Sequence, residues 1–117
     1  MATITGFENI LTWKKAKSLT LKIYSALKNN KDYGYRDQIQ RASVSIMNNI
    51  AEGYERKGNK QLIQYLYIAK GSCAEVRSLL ILGQELGYIP KQVYDCCIEE
   101  SIEISKMLSG FIKKLDV

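Results

Sequence analysis

Arg41–Arg56 reads RASVSIMNNIAEGYER. With Ile39 just upstream, its Ala42, Ile46, Ile50 and Gly53 recur at intervals of three and four, the spacing that puts residues on one helix face. Val44, Met47 and Ala51 fall on a neighbouring face, roughly 80–140° further round at about 100° per residue. Together they make an apolar arc of roughly 200°, against the ~100° stripe that a surface helix normally buries. The remaining arc is a polar stripe of Arg41, Ser45, Asn48, Glu52 and Arg56. Glu52 and Arg56 form an i, i+4 pair in the favourable order. Asn49 lies at the edge of the core, where a partly buried amide can fix helix register.

The same period extends outward in both directions. Helices are expected over Thr12–Leu27, Arg36–Tyr54, Asn59–Leu86 and Pro90–Leu115, with no strand-like alternation between them. The breaks are NNKDYG (29–34), ERKGN (55–59) and GYIP (87–90). Asn59 is a candidate N-cap, Gly87 a candidate left-handed C-terminal cap, and Pro90 suits a first helical turn. Short loops make sequential helices antiparallel neighbours. The expected fold is all-α, an up-down-up-down antiparallel four-helix bundle, and residues 1–117 form one domain.

The expected core takes Trp13, Ala16, Leu19 or Thr20, Ile23, Tyr24 and Leu27 from the first helix. The third helix adds Leu62, Tyr65, Leu66, Ala69, Cys73, Val76, Leu80 and Gly83. The fourth adds Val93, Cys97, Ile104, Leu108, Phe111 and Leu115. Beside its core face the third helix carries a second apolar flank of Ile63, Tyr67, Ala74 and Ile81. Extra flanks on two helices exceed what one small bundle covers, and exposed apolar patches mark partner surfaces. Val44, Met47, Ala51, Ile63, Tyr67, Ala74 and Ile81 are therefore the candidate oligomer interface, and a homo-oligomer is expected through helices two and three. Arg41 falls near the level of Glu75, and an ion pair is expected there.

Composition excludes much chemistry. The chain has no histidine, which removes the usual general base and the commonest metal ligand. Glu52 and Glu75 are the carboxylates a di-metal bundle would use, but such sites add Glu-x-x-His motifs that are absent here. Gly71–Ser72 lacks phosphate-loop spacing, and Lys70 is not on the face of Ser72 where it could act as a base. No catalytic residue, metal site or cofactor is assigned, and an enzyme is not expected. Three cysteines, Cys73, Cys96 and Cys97, form a poor disulfide framework and read as reduced thiols. No apolar run approaches the ~20 residues of a membrane span, and the first residues do not read as a secretory signal. A cytoplasmic location with no membrane partner is expected.

Charge gives the functional lead. Residues 1–60 hold eleven Lys and Arg against five Asp and Glu, whereas residues 61–117 hold six against seven. A basic half invites anionic partners, nucleic acid first. Lys14, Lys15, Lys17, Lys22 and Lys28 line the first helix, and Arg56, Lys57 and Lys60 crowd the second loop. Such a surface contacts phosphates without reading sequence.

Specific blocks also carry a family resemblance. They are Phe7-Glu8-Asn9-Ile10, Trp13-Lys14-Lys15-Ala16 and Ile23-Tyr24, then Gln38-Ile39-Gln40-Arg41-Ala42, Ser45-Ile46 and Asn49-Ile50-Ala51-Glu52-Gly53. Tyr65-Leu66, Ile68-Ala69, Gly71-Ser72, Glu75 and Leu86-Gly87-Tyr88 continue the pattern. The chain resembles small bacterial four-helix-bundle proteins encoded by intervening sequences in large-subunit ribosomal RNA genes. It departs from them at Gln40, where an arginine is frequent, at Met47, where a proline is frequent, and at Gln61-Leu62, where Glu-Phe is frequent. The resemblance implies a ring-like homo-oligomer, most often a pentamer. It extends to the accessory protein of diversity-generating retroelements, a pentameric bundle that binds nucleic acid and a reverse transcriptase. The resulting expectation is a non-enzymatic homo-oligomeric scaffold that binds RNA or DNA through a basic surface. The alternative is a protein-interaction scaffold that touches no nucleic acid.

Overall fold

The computed structural model describes residues 6–116. Residues 1–5 and 117, which the single-domain and N-terminal readings take in, lie outside them. Four helices follow a short 3-10 turn at Phe7–Asn9: α1 (Leu11–Leu27), α2 (Tyr33–Glu55), α3 (Asn59–Glu85) and α4 (Lys91–Leu115). There is no strand among the described residues. Each helix packs on the next and α4 returns to α1, whereas the diagonal pairs α1–α3 and α2–α4 do not approach. Helices joined by such short loops run antiparallel, so the expected bundle is the observed one.

Local chemistry sets the ends. α2 starts three residues before the expected Arg36 because Asp32 caps it: its Oδ1 accepts from the Tyr35 amide at 3.2 Å. α3 is not capped by Asn59, which is already helical. Gly58 holds the cap position with φ +92° and no side-chain bond, a backbone region that glycine takes without strain. At the other end of α3, Gly87 sits at φ +78°. Its amide bonds Gln84 O at 3.1 Å and the Tyr88 amide bonds Gly83 O at 2.8 Å, the paired bonds of a Schellman cap. Pro90 falls one residue earlier than expected, as the cap of α4, with its carbonyl accepting from the Tyr94 amide.

The core joins Leu19, Ile23, Ile39, Ile46, Ile50, Leu66, Val76, Leu80, Ile104 and Leu108. Trp13, Leu62, Val93, Phe111 and Leu115 are half-buried against it. Tyr24, 42% exposed on the rim, and Tyr65, half-buried beside Gly53, are the exceptions and lie outside the core cluster. Tyr24 lies one turn past Thr20, whose hydroxyl spans to Ser43 O of α2 at 3.2 Å. Tyr35, Ile89 and Ile112 enter the core from outside the expected set. Ser43, Ser72 and Ser101 are buried because each hydroxyl bonds back to a carbonyl of its own helix.

Two glycines let α2 and α3 close. A Cβ on Gly53 would stand 2.7 Å from Tyr65 Cβ, and one on Gly83 would overlap the Tyr35 hydroxyl. That hydroxyl donates to Leu79 O at 2.6 Å, and the Tyr35 ring meets Tyr88 edge-on at 5.2 Å. Tyr88 in turn donates to Asp32 Oδ2 at 2.6 Å, tying the α3–α4 loop to the α2 cap.

This latch titrates. The Tyr88 hydroxyl, and next the Tyr35 amide, hold the Asp32 carboxyl below its ordinary 3.8. A depressed carboxylate stabilises the fold above its unfolded pKa and loses that contribution as pH falls through its folded pKa. The melting temperature of the wild type is therefore expected to fall on acidification below about pH 3.8 more steeply than that of Asp32→Asn. Parallel curves for the two proteins would show that the latch contributes nothing.

Candidate nucleic-acid interface

α1 carries no acidic residue. Its Lys14, Lys17, Leu21, Tyr24 and Lys28, the last at the C-cap, recur at alternating steps of three and four, and all five are exposed. One helix face therefore presents three lysines with an apolar and an aromatic residue between them. Lys17 stands 5.3 Å above the ring of Trp13, which packs edge-on against Phe7.

Of the eight expected basic contacts, three are engaged within the fold. Lys15 bonds Glu103 at 3.0 Å and Lys22 bonds Glu100 at 2.6 Å, both on α4. The Glu100 hydrogen bond is the chief reason that the Lys22 ammonium is held above its ordinary pKa. Arg56 bonds Glu52 at 2.7 Å, as the i, i+4 spacing predicts, and stacks 5.2 Å from the Tyr65 ring. Lys14, Lys17, Lys28, Lys57 and Lys60 are exposed and have no carboxylate partner among the described residues. The antiparallel order brings Lys57 and Lys60 to the end of the bundle where α1 begins. It brings Lys113 and Lys114 from the last turn of α4 to the same end. Those two were missed, because only the topology places them beside the second loop.

The candidate oligomer residues separate. On α2, Met47 lies one turn beyond Ser43, the residue whose carbonyl bonds α1, and Val44 and Ala51 flank Met47. This flank therefore faces the α1 side. On α3, Lys70 donates to Ser109 of α4 at 2.7 Å, and Tyr67 shares a groove with Lys70, Ser109 and Ile112. Ile63, Tyr67, Ala74 and Ile81 therefore face the α4 side. Between the flanks, Ser45 and Ser72 share a hydrogen bond of 2.8 Å across the α2–α3 seam. Tyr67 and Ile81 are 59% and 44% exposed, whereas Met47 and Ile63 are half-buried against the core of their own bundle. Further exposed apolar residues, Leu21, Ile68, Leu82 and Leu86, lie outside the expected set.

The polar stripe of α2 is not uniform. Ser45 turns into the seam, and Asn49 Nδ2 donates to Ser45 O at 2.8 Å within α2 rather than to another helix. Arg41 and Glu75 make no ion pair. Both stand exposed on outward arcs, where water competes well with a pair. Tyr24, Arg41, Val44, Ser45, Asn48 and Asn49 line an open groove over this face.

The two buried thiols, Cys73 and Cys97, offer little nucleophilic chemistry. Burial is the main cause that pushes Cys73 up to about 12 and Cys97 up to about 11, so both stay protonated at neutral pH. Among the described residues no three His, Cys, Asp or Glu side chains converge as a metal-donor set. No described helix is long and apolar enough to cross a membrane.

The model for the 23S rRNA-intervening sequence proteins matches residues 8–110, nearly the whole described bundle. The chain belongs to that family. A crystal structure from Bacteroides thetaiotaomicron, of a protein with unknown function from the S23 ribosomal protein family, is similar to this member at 28% identity and a TM-score of 0.82. The similarity covers 88% of this chain and 99% of that one. No curated protein matches. The family description names no reaction, and the function of the structural neighbour is given as unknown.

Proposed function

We propose that this 23S rRNA-intervening sequence protein is a non-enzymatic, homo-oligomeric scaffold that binds RNA or DNA through its unpaired lysines. The observation that carries the reading is the acid-free α1 face with Lys14, Lys17 and Lys28 exposed and without a carboxylate partner among the described residues. Lys57 and Lys60 extend the field at one end of the bundle. The contacts are to phosphates, so binding is electrostatic and independent of sequence. The protein works in the cytoplasm, where its three free thiols stay reduced. The test is binding of a structured RNA across a salt series. Binding that weakens steadily with salt supports the reading, and no binding at low salt removes it.

The assembly is a ring, a pentamer by resemblance to related bundles. Its support is the exposed apolar flank of α3, Tyr67 and Ile81, which one bundle leaves uncovered. Such a flank meets a different face of the next copy head to tail, with the α1/α2 groove outside the contact, and head-to-tail contacts close into rings. Tyr67→Glu and Ile81→Glu are expected to lower the mass measured by light scattering while helicity by circular dichroism persists. A mass equal to that of the wild type would show that the α3 flank is not an interface. Met47→Glu is a poorer probe, because Met47 also packs on its own core.

Ile68 and Leu82, exposed on α3, and Leu86, exposed at its C-cap, favour a second reading as a protein-interaction scaffold. Recovery of one protein partner that survives nuclease treatment, with no nucleic-acid binding at low salt, would favour it.

A further inference from the structure

The groove over α2 deepens the nucleic-acid reading and rests on it. Arg41 is the single charged side chain among Tyr24, Arg41, Val44, Ser45, Asn48 and Asn49, and it has no ion-pair partner among the described residues. The Ser45 hydroxyl and the Asn49 amide nitrogen are spent on each other and on the seam. The Arg41 guanidinium, the Asn48 amide and the Tyr24 ring remain open to solvent. One cation, one group that both donates and accepts, and one aromatic face thus stand around a single open depression. Tyr24 also belongs to the α1 face of Lys14, Lys17 and Lys28, so the groove opens beside the lysine stripe.

We propose that this groove receives one unpaired nucleotide of a single-stranded nucleic acid whose backbone follows the lysines of α1. Tyr24 stacks on the base, Asn48 bonds its edge, and Arg41 takes the adjacent phosphate through its planar fork. A duplex hides its base faces in the stack and engages only the lysines. Val44 adds an apolar side chain to the lining, which suits an occupant with a flat face.

The test is fluorescence anisotropy with a labelled single-stranded RNA and with the same strand annealed to its complement. The single strand is expected to bind more tightly. Tyr24→Ala and Arg41→Gln are each expected to weaken it by about tenfold or more, the scale of one lost base stack or charged contact. Tyr24→Phe keeps the stack and is expected to stay near the wild type, and duplex binding is expected to change little in Tyr24→Ala. Both altered residues are exposed, and circular dichroism checks that each variant folds. If Tyr24→Ala and Arg41→Gln bind the single strand as the wild type does, while Lys14→Gln/Lys17→Gln/Lys28→Gln binds it weakly, the groove proposal is overturned and the lysine reading stands. If the wild type binds neither strand nor duplex at low salt, both fall.

Discussion

Ile46→Ala is expected to destabilise the bundle by about 2–5 kcal/mol, the range for truncating a buried branched side chain. Ile46 is fully buried among Leu19, Ile39, Ile50 and Leu66 in the common core. The cost has two parts: the lost transfer of the removed carbons out of water, and the cavity left when the surrounding helices relax only partly. For a domain with roughly 5–15 kcal/mol in total, that removes a large share of stability. Urea unfolding followed by circular dichroism measures it. A midpoint near that of the wild type would mean that the four helices do not share one core.

Gly83→Ala tests the seam between α2 and α3. Alanine normally favours a helix interior over glycine by about 1 kcal/mol. Here the added Cβ would overlap the Tyr35 hydroxyl and stand 2.7 Å from Tyr35 Cζ. The Tyr35 ring is buried and its hydroxyl is held by Leu79 O, so it cannot swing aside. Overpacking of this kind costs about 1–3 kcal/mol, which exceeds the propensity gain, so net destabilisation is expected. Gly71→Ala and Gly110→Ala meet nothing within 4 Å and are expected to stabilise by about 0.5–1 kcal/mol. Tyr35→Phe should relieve part, not all, of the Gly83→Ala cost, because the ring carbon remains close. Equal shifts for all three glycine variants would show that Gly83 is not a close-approach site.

The bundle was legible because its signal is local and periodic. Ile39, Ala42, Ile46, Ile50 and Gly53 fall on one face at helical spacing and are all buried. Gly87 marked the end of α3 because one backbone conformation favours glycine there. The errors have local causes as well. Tyr24 sits at a wheel angle on the boundary between core and rim, and the structure leaves it on the rim. Tyr35 was hidden before the expected start of α2, and its burial depends on Gly83, more than forty residues later in the chain.

The candidate interface was less legible because charge pairing is tertiary. Lys15 and Lys22 look as free as Lys14 and Lys17 in the sequence, yet their partners Glu103 and Glu100 lie 88 and 78 residues away. Lys113 and Lys114 reach the basic end only through the helix order. The two apolar flanks could each be read from the spacing. Their separation by the Ser45–Ser72 seam could not, because it depends on which side of each helix its neighbours occupy.

The central claim is that the unpaired α1 lysines contact nucleic-acid phosphates. The most direct measurement is the slope of log binding constant against log salt for a structured RNA, compared between the wild type and Lys14→Gln/Lys17→Gln/Lys28→Gln. Each phosphate contact contributes about 0.7–0.9 to that slope, so losing three should make it shallower by about 2–3. A triple variant that binds with the slope of the wild type would contradict the account.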